Sequence, residues 1–435
     1  MELSSSISSS EKRIGGWFFW PAVVAVSIWA VYALLGSWLT TEIADILGKR
    51  IVASSQGKIP NARNFLEICA WEGAVLTTAA VVAAAVCAAL SRWLARCVSS
   101  RWLWLPLSLF VFVAANAWIA LAGETNLFWC ATYVAGPNLK QAAFHAERLL
   151  LRDSHASRRV VFVGSSQVQF EVATGQLNDS YYPEAQFANL GYAGAQAFDL
   201  LLLQESYLAL KPDVAVCYLS ELNLYTPFAG GRFLPFLSPR GLADYLELMP
   251  AGAARTEDIV SGVEGMAIPA FRLRRAIEFA LFDTEAGEIS KGRRGAKTGP
   301  VVEVSHDEVM ARKAKLQAGQ YRLGPEAEAQ KRSLERFIDR NAKAGIRTVL
   351  ILGQVHPELE KRISEDVRDN FVAYVRGLER PGADGVVVVD ERRSHDNADY
   401  GDLMHITPEA RKRFTDQMGK TLAGICNWSS PEASE

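Results

Sequence analysis

The sequence predicts an α/β domain built on a parallel sheet, preceded by a region with three membrane-spanning helices. Three observations predict it. Three long uncharged apolar segments fall within the first 122 residues. From about Leu139 five short β-branched apolar runs follow, and longer segments with helical spacing separate them. Continuous apolar strands alternating with helices indicate a parallel sheet covered on both faces. With 435 residues the chain has room for more than one domain. Its 46 basic and 48 acidic residues give no indication of a nucleic-acid partner.

The three apolar segments are Trp17–Leu39, Gly73–Leu90 and Trp102–Ala122. A helix needs about 20 apolar residues to cross a bilayer. Aromatic residues crowd the segment ends, among them Trp17, Trp20, Trp38, Trp71, Trp93, Trp102 and Trp104, as suits the headgroup region. The first segment exceeds the apolar run of a cleaved signal peptide. The short connection Ser91–Arg101 carries Arg92, Arg96 and Arg101, and the N-terminal tail carries Lys12 and Arg13. The opposing loop, Thr40–Glu72, holds Lys49, Arg50, Lys58 and Arg63. The denser charge of the short connection favours a cytoplasmic N-terminus. Three spans then place everything beyond Gly123 outside the cytoplasm, in the periplasm of a two-membrane bacterium. The expected division is 1–138 for the membrane region and 139–435 for the α/β domain. Six cysteines form no C-x-x-C pair, so they suggest buried small side chains rather than zinc, with one disulfide possible outside the cytoplasm.

The expected strands are Val160–Val163, Gln186–Leu190, Val214–Leu219, Thr348–Leu352 and Gly385–Val389. Phe198–Leu210 carries an apolar helical stripe. Glu326–Ala344 places Leu334, Phe337 and Ile338 on one face. Thr407 and Pro408 read as the cap and first residue of a last helix. In open parallel sheets the functional groups gather beyond the C-terminal ends of the strands. The first strand runs into Gly164-Ser165-Ser166-Gln167. The second runs into Asn189-Leu190-Gly191-Tyr192-Ala193-Gly194, and the third into Ser220-Glu221-Leu222-Asn223. After the fifth come Asp402 and His405.

These residues suit acyl transfer. A serine hydroxyl becomes a nucleophile only when a base takes its proton. His405 is a candidate base, since imidazole titrates near neutrality. Asp402, three residues earlier, can hold its tautomer and stabilise the imidazolium. The N–H groups of Ser166 and Gly194 and the side-chain amide of Asn223 are candidate oxyanion donors.

In this order the blocks resemble the SGNH (GDSL-type) hydrolase superfamily. Gly164-Ser165-Ser166 stands for the family's G-D-S. Gly194 stands for its glycine turn, with Gly191 as the second register. Asn223 alone survives of G-x-N-D, and Asp402 and His405 keep D-x-x-H intact. Lys211-Pro212-Asp213 and Ala344-Gly345-Ile346 also match the family's habit. The resemblance runs from about Arg158 to Leu422 and leaves out the membrane region and an insertion at about 225–324. It implies a flavodoxin-like three-layer domain with a five-stranded parallel sheet and a helical insertion.

With membrane helices in front, the Gly-Ser-Ser form is similar to extracytoplasmic members that acylate cell-envelope polymers. These include the D-alanyl transfer protein of lipoteichoic acid and the alginate O-acetyltransferases. The resemblance implies an enzyme of the cytoplasmic (inner) membrane that carries an acyl group, most simply acetyl, on Ser166 to a polysaccharide acceptor. It implies no metal or organic cofactor. Its partners are the bilayer, a polysaccharide and a membrane-bound O-acyltransferase or a polysaccharide synthase/export complex. An esterase or deacetylase using water, and a non-catalytic scaffold of such a complex, are the alternatives. Gln167, Tyr225 and Phe228 are candidate substrate contacts. The aromatic cluster that opens the insertion reads equally as a groove wall or as a hydrophobic anchor. An amphipathic helix is expected at Ile268–Phe282. The basic run Lys291–Lys297 reads as a solvated loop or a contact for an anionic polymer.

Overall fold

In the computed structural model the described residues are 158–180, 185–192, 194–228, 238–249, 256–268, 306–382 and 385–426, with Phe112, Asn116, Phe144, Glu147, Arg148, Leu151 and Ala156. The chain divides into two compact units, the second being Ser55–Asn61 with Ala135–Glu435. Apart from Phe112 and Asn116, all described residues belong to that second unit. Among the described residues no helix is long and apolar enough to cross a membrane. The segments 17–39 and 73–90, and 102–122 apart from Phe112 and Asn116, lie outside the described residues, as do the expected helix beyond Ile268 and the run Lys291–Lys297.

The five expected strands form a single sheet. They are β1 (Arg158–Gly164), β2 (Ala185–Asn189), β3 (Val214–Leu219), β4 (Arg347–Leu352) and β5 (Val386–Asp390). All neighbours pair in parallel, in the order β2-β1-β3-β4-β5. This is the flavodoxin-like doubly wound order. The chain moves outward from β1 to β2, then returns past β1 to β3. The crevice between the ends of β1 and β3 is therefore the switch point where such sheets place their sites.

Alternation along each strand builds two apolar layers. Val161, Val163, Ala215, Cys217, Leu350 and Leu352 face one layer. Val160, Phe162, Val216, Tyr218, Val349 and Ile351 face the other. Central β3 is buried at every residue, whereas edge strand β5 is only half-buried along its middle. Cys217 and Cys426 are free thiols.

Short helices α1 (Ser166–Glu171) and α2 (Thr174–Ser180) follow β1. The expected helix 198–210 is broken into α3 (Ala197–Leu202) and α4 (Gln204–Leu208). The break at Leu203 lets Gln204 turn inward, where its Nε2 donates to the Phe337 carbonyl at 2.7 Å and to Asn341 Oδ1 at 2.9 Å. After β3 come α5 (Glu221–Tyr225) and, among the described residues of the insertion, α6 (Pro239–Leu248), α7 (Thr256–Ala267) and α8 (His306–Ala318).

Next is α9 (Pro325–Lys343), with proline in its first turn, Glu326 and Glu328 at its N-terminus and Arg340 and Lys343 at its C-terminus. That charge order complements the helix dipole. Leu334, Phe337 and Ile338 are buried as their spacing predicts. The chain closes with α10 (Pro357–Glu360), α11 (Glu365–Gly377) and α12 (Pro408–Cys426). Helix α12 starts where Thr407-Pro408 predicts, and the Thr407 hydroxyl accepts from the Ala410 N–H at 3.4 Å.

Candidate active site

The turn from β1 into α1 needs glycine. Gly164 has φ +154°, and a Cβ there would lie 2.5 Å from Val168 Cγ2 and 2.9 Å from the Tyr218 carbonyl oxygen. Ser165 is fully buried and caps α1, its hydroxyl accepting from the Gln167 N–H at 3.4 Å. A short side chain thus caps the first turn of α1 from within the core. Ser166 is the first helical residue, so its N–H has no intrahelical carbonyl to bond.

The end of β2 supports this helix from below. Asn189 Nδ2 donates to the carbonyls of Val168 at 2.8 Å and Val172 at 2.9 Å, satisfying the last turn of α1. Asn189 Oδ1 accepts from the Gly191 N–H at 3.0 Å. A Cβ on Gly191 would sit 2.7 Å from the Gln169 nitrogen and 2.8 Å from Val168 Cγ1, so this glycine permits close packing on α1. Gly194 is the turn glycine proper. It is half-buried, with φ +80°.

Asp402 and His405 lie on a tight turn. An isolated bridge between Tyr400 and Ile406 pins its base, and the Gly401 N–H donates to the His405 carbonyl at 2.9 Å. Asp402 Oδ1 accepts from the N–H groups of Met404 at 2.8 Å and His405 at 2.9 Å. This leaves Oδ2 for the ring, 2.9 Å from His405 Nδ1. His405 Nε2 lies 2.8 Å from Ser166 Oγ. Burial pushes the Asp402 carboxyl up. The His405 ring and the two backbone N–H groups outweigh it and hold the carboxyl at about 2. Asp402 is therefore ionised at neutral pH and oriented to accept from Nδ1, which leaves Nε2 to accept the serine proton. Phe170, four residues along α1 from Ser166, packs edge-on against the His405 ring at 5.1 Å and is 37% exposed.

The other candidate residues are placed differently. Asn223 is fully buried. Its Oδ1 accepts from the Ser220 N–H at 2.8 Å, and its Nδ2 donates to the Ala195 carbonyl at 2.9 Å. The amide read from sequence as an oxyanion donor thus fastens α5 to the Gly194 turn. Gln167 is fully buried too. Its Nε2 donates to the Gln354 carbonyl at 3.0 Å, and its Oε1 accepts from the Ser220 hydroxyl at 2.7 Å. Gln167 is therefore a tie between the ends of β1, β3 and β4 and not a substrate contact.

Tyr225 is also interior, and its hydroxyl donates to Asn370 Oδ1 at 2.7 Å. Phe228 packs against Phe198 with ring centroids 4.9 Å apart, on the edge of the main core. Of the two readings of the aromatic opening, these residues take the anchor, because their rings are spent on the core. Phe233 and Phe236 lie outside the described residues.

Sequence reading placed Asn189 at the rim without a role and missed Gln354 and Tyr400. Asn189 is the last residue of β2 and Gln354 lies two residues beyond β4, where a polar residue can cap its neighbours, and that position was the available signal. Among the described residues no three His, Cys, Asp or Glu side chains converge as metal ligands.

Fold and geometry together define a doubly wound α/β domain with a serine, a histidine and an aspartate in hydrogen-bonded series at its switch point. The chain matches no model of a known protein family, and no curated protein matches it either.

Proposed function

We propose that this protein is a serine acyl-transfer enzyme of SGNH type, anchored in the cytoplasmic membrane with its α/β domain on the extracytoplasmic side. The observation that carries the reading is the unbroken series Ser166 Oγ, His405 Nε2, His405 Nδ1 and Asp402 Oδ2, at 2.8 and 2.9 Å. Two segments 239 residues apart, Gly164-Ser165-Ser166 and the Asp402–His405 turn, have to meet for it to form. Support for the membrane anchor comes from the three uncharged apolar segments.

In the proposed reaction His405 takes the Ser166 proton while Oγ attacks the carbonyl carbon of an acyl donor. The tetrahedral oxyanion is met by the backbone N–H groups of Ser166 and Gly194. It collapses, and the leaving group takes the proton from His405. The acyl-serine then passes its acyl group, acetyl in the simplest case, to a polysaccharide hydroxyl by the same steps in reverse. Water as acceptor makes the same site an esterase or deacetylase.

A serine-reactive fluorophosphonate tests the nucleophile on the membrane-extracted full chain. Wild type labels, while Ser166→Ala and His405→Ala do not. Competition between water and added oligosaccharides for the acyl-enzyme then separates transferase from esterase. The scaffold reading draws its support from Asn223, whose amide is committed to Ala195. It predicts no labelling of the folded wild type.

A further inference from the structure

Helix α1 presents its nucleophile at one end and hides an acid at the other. Glu171, five residues after Ser166, is fully buried, and neither of its carboxyl oxygens has a hydrogen-bond partner. Its surroundings come from three directions. From β3 the Tyr218 hydroxyl faces it; that hydroxyl also accepts from the Gln354 N–H at 3.3 Å. From the Asp402/His405 turn come Asp402 itself and Tyr400, whose buried hydroxyl is likewise unpartnered. From α12 comes Arg411, whose Nη2 donates to the Val172 carbonyl at 2.7 Å while its buried Nε has no partner. Among the described residues no ion pair joins Arg411 or any other cation to Glu171.

A carboxylate in so dry a place, without a paired cation and near the charge of Asp402, sheds its charge by holding its proton. Burial first, then Asp402, pushes this carboxyl well above the ordinary range, against Tyr218 and Arg411. Around it Tyr400 is doubly committed. Its backbone bridges Ile406 at the base of the turn, and its ring lies edge-on to His356 at 5.2 Å and His395 at 5.9 Å.

We propose that Glu171 is a positioning residue: a neutral carboxylic acid buried at the end of the helix that carries Ser166, whose bulk and polarity set the separation of that helix from the turn that carries Asp402 and His405. It touches no reacting atom. Its polar tip shares a buried space with the Tyr218 and Tyr400 hydroxyls, where an apolar side chain would offer neither of them a polar neighbour, and Tyr400 joins that space to the turn. The inference rests on the reading of the triad as catalytic.

The test compares wild type, Glu171→Gln and Glu171→Met as full chains, each followed by the rate of fluorophosphonate labelling of Ser166 across pH. Glutamine keeps the shape and neutrality of the acid; methionine keeps only the volume. Glu171→Gln is expected to label within about 3-fold of wild type, with the pH midpoint unmoved. Glu171→Met is expected to lose about 10²-fold, the scale of a 1 Å misplacement. Infrared difference spectra between wild type and Glu171→Gln should show loss of a protonated-carboxyl band at neutral pH.

Equal rates in all three proteins would mean that Glu171 only fills space, and the proposal falls while the triad stands. A midpoint displaced by about a unit in Glu171→Gln would mean that an ionised carboxylate had been removed, and the proposal falls likewise. Folded wild type that does not label overturns the catalytic reading and this inference with it.

Discussion

Replacing Asp402 by asparagine changes one atom of the triad, and the structure says which way the new amide will point. The Asp402 side chain has two jobs, divided between its oxygens. Oδ1 accepts from the N–H groups of Met404 and His405, and Oδ2 faces His405 Nδ1. In Asp402→Asn only one of these positions keeps an oxygen. If the oxygen stays with the backbone, the amide NH₂ faces Nδ1. The imidazole must then accept there and carry its proton on Nε2. That proton points at Ser166 Oγ, so the ring donates to the serine and cannot take its proton.

The opposite orientation keeps the ring tautomer but sets an NH₂ group against two N–H donors. Losing those two bonds in a partly solvated turn costs about 1–2 kcal/mol each, or about 2–4 kcal/mol together. At about 1.4 kcal/mol per factor of ten, the productive arrangement is populated about 30- to 1,000-fold less. The missing negative charge beneath the imidazolium lowers the rate further, so the expected loss lies at about 10²–10⁴-fold. The assay is the second-order rate of Ser166 labelling by a fluorophosphonate, with thermal unfolding as the control for folding. A well-folded Asp402→Asn protein that kept more than about a tenth of the rate would refute the assigned tautomer and, with it, the role of Asp402.

Three further outcomes follow from the same geometry. Gly164→Ala forces a Cβ to 2.5 Å from Val168 Cγ2 at φ +154°; a destabilisation of about 3 kcal/mol is expected in urea unfolding, with labelling reduced. Asn223→Ala leaves the Ser220 N–H and the Ala195 carbonyl unbonded inside the fold, so both the unfolding midpoint and the labelling rate should fall. Labelling lost at unchanged stability would return Asn223 to the oxyanion site.

The third outcome concerns Glu221. Burial pushes the Glu221 carboxyl from 4.5 up to about 7. A raised acid holds its proton in the fold and releases it on unfolding, so stability falls as pH climbs from 4.5 to about 7 and levels off above. The difference of 7 − 4.5 is about 2.5 units, worth about 3 kcal/mol. Glu221→Gln should remove that share of the pH slope between those limits, and an unchanged slope in urea titrations would refute the assignment.

The strands were legible because burial on both faces writes itself locally, as short β-branched runs. Each of the five lies within two residues of its expected place at both ends. The last helix was legible because its cap and first residue are adjacent letters, Thr407 and Pro408. Asp402 and His405 are three residues apart, so a single turn brings them together and their pairing is local. The break at Leu203 was not legible, because only the inward bonds of Gln204 to α9, 133 and 137 residues away, explain it.

The polar residues at the strand ends divide along the same line. Ser165, Ser166, Gln167, Asn189, Ser220 and Asn223 are alike as letters. Ser166 faces His405 across 239 residues of sequence, while Gln167, its neighbour, turns inward to Gln354 across 187. One step along a helix rotates a side chain by more than a quarter turn, which decides between rim and core.

The sequence by itself determined the sheet, the chemical types collected at its C-terminal edge and the pairing of Asp402 with His405. These follow from apolar periodicity and short-range spacing. Only the tertiary structure decided that Ser166 meets the imidazole, that Asn223, Gln167 and Tyr225 are structural ties, and that Glu171 is a buried acid without a hydrogen-bond partner. Those outcomes depend on side-chain direction and on desolvation by elements distant in sequence, and the packed fold alone supplies both.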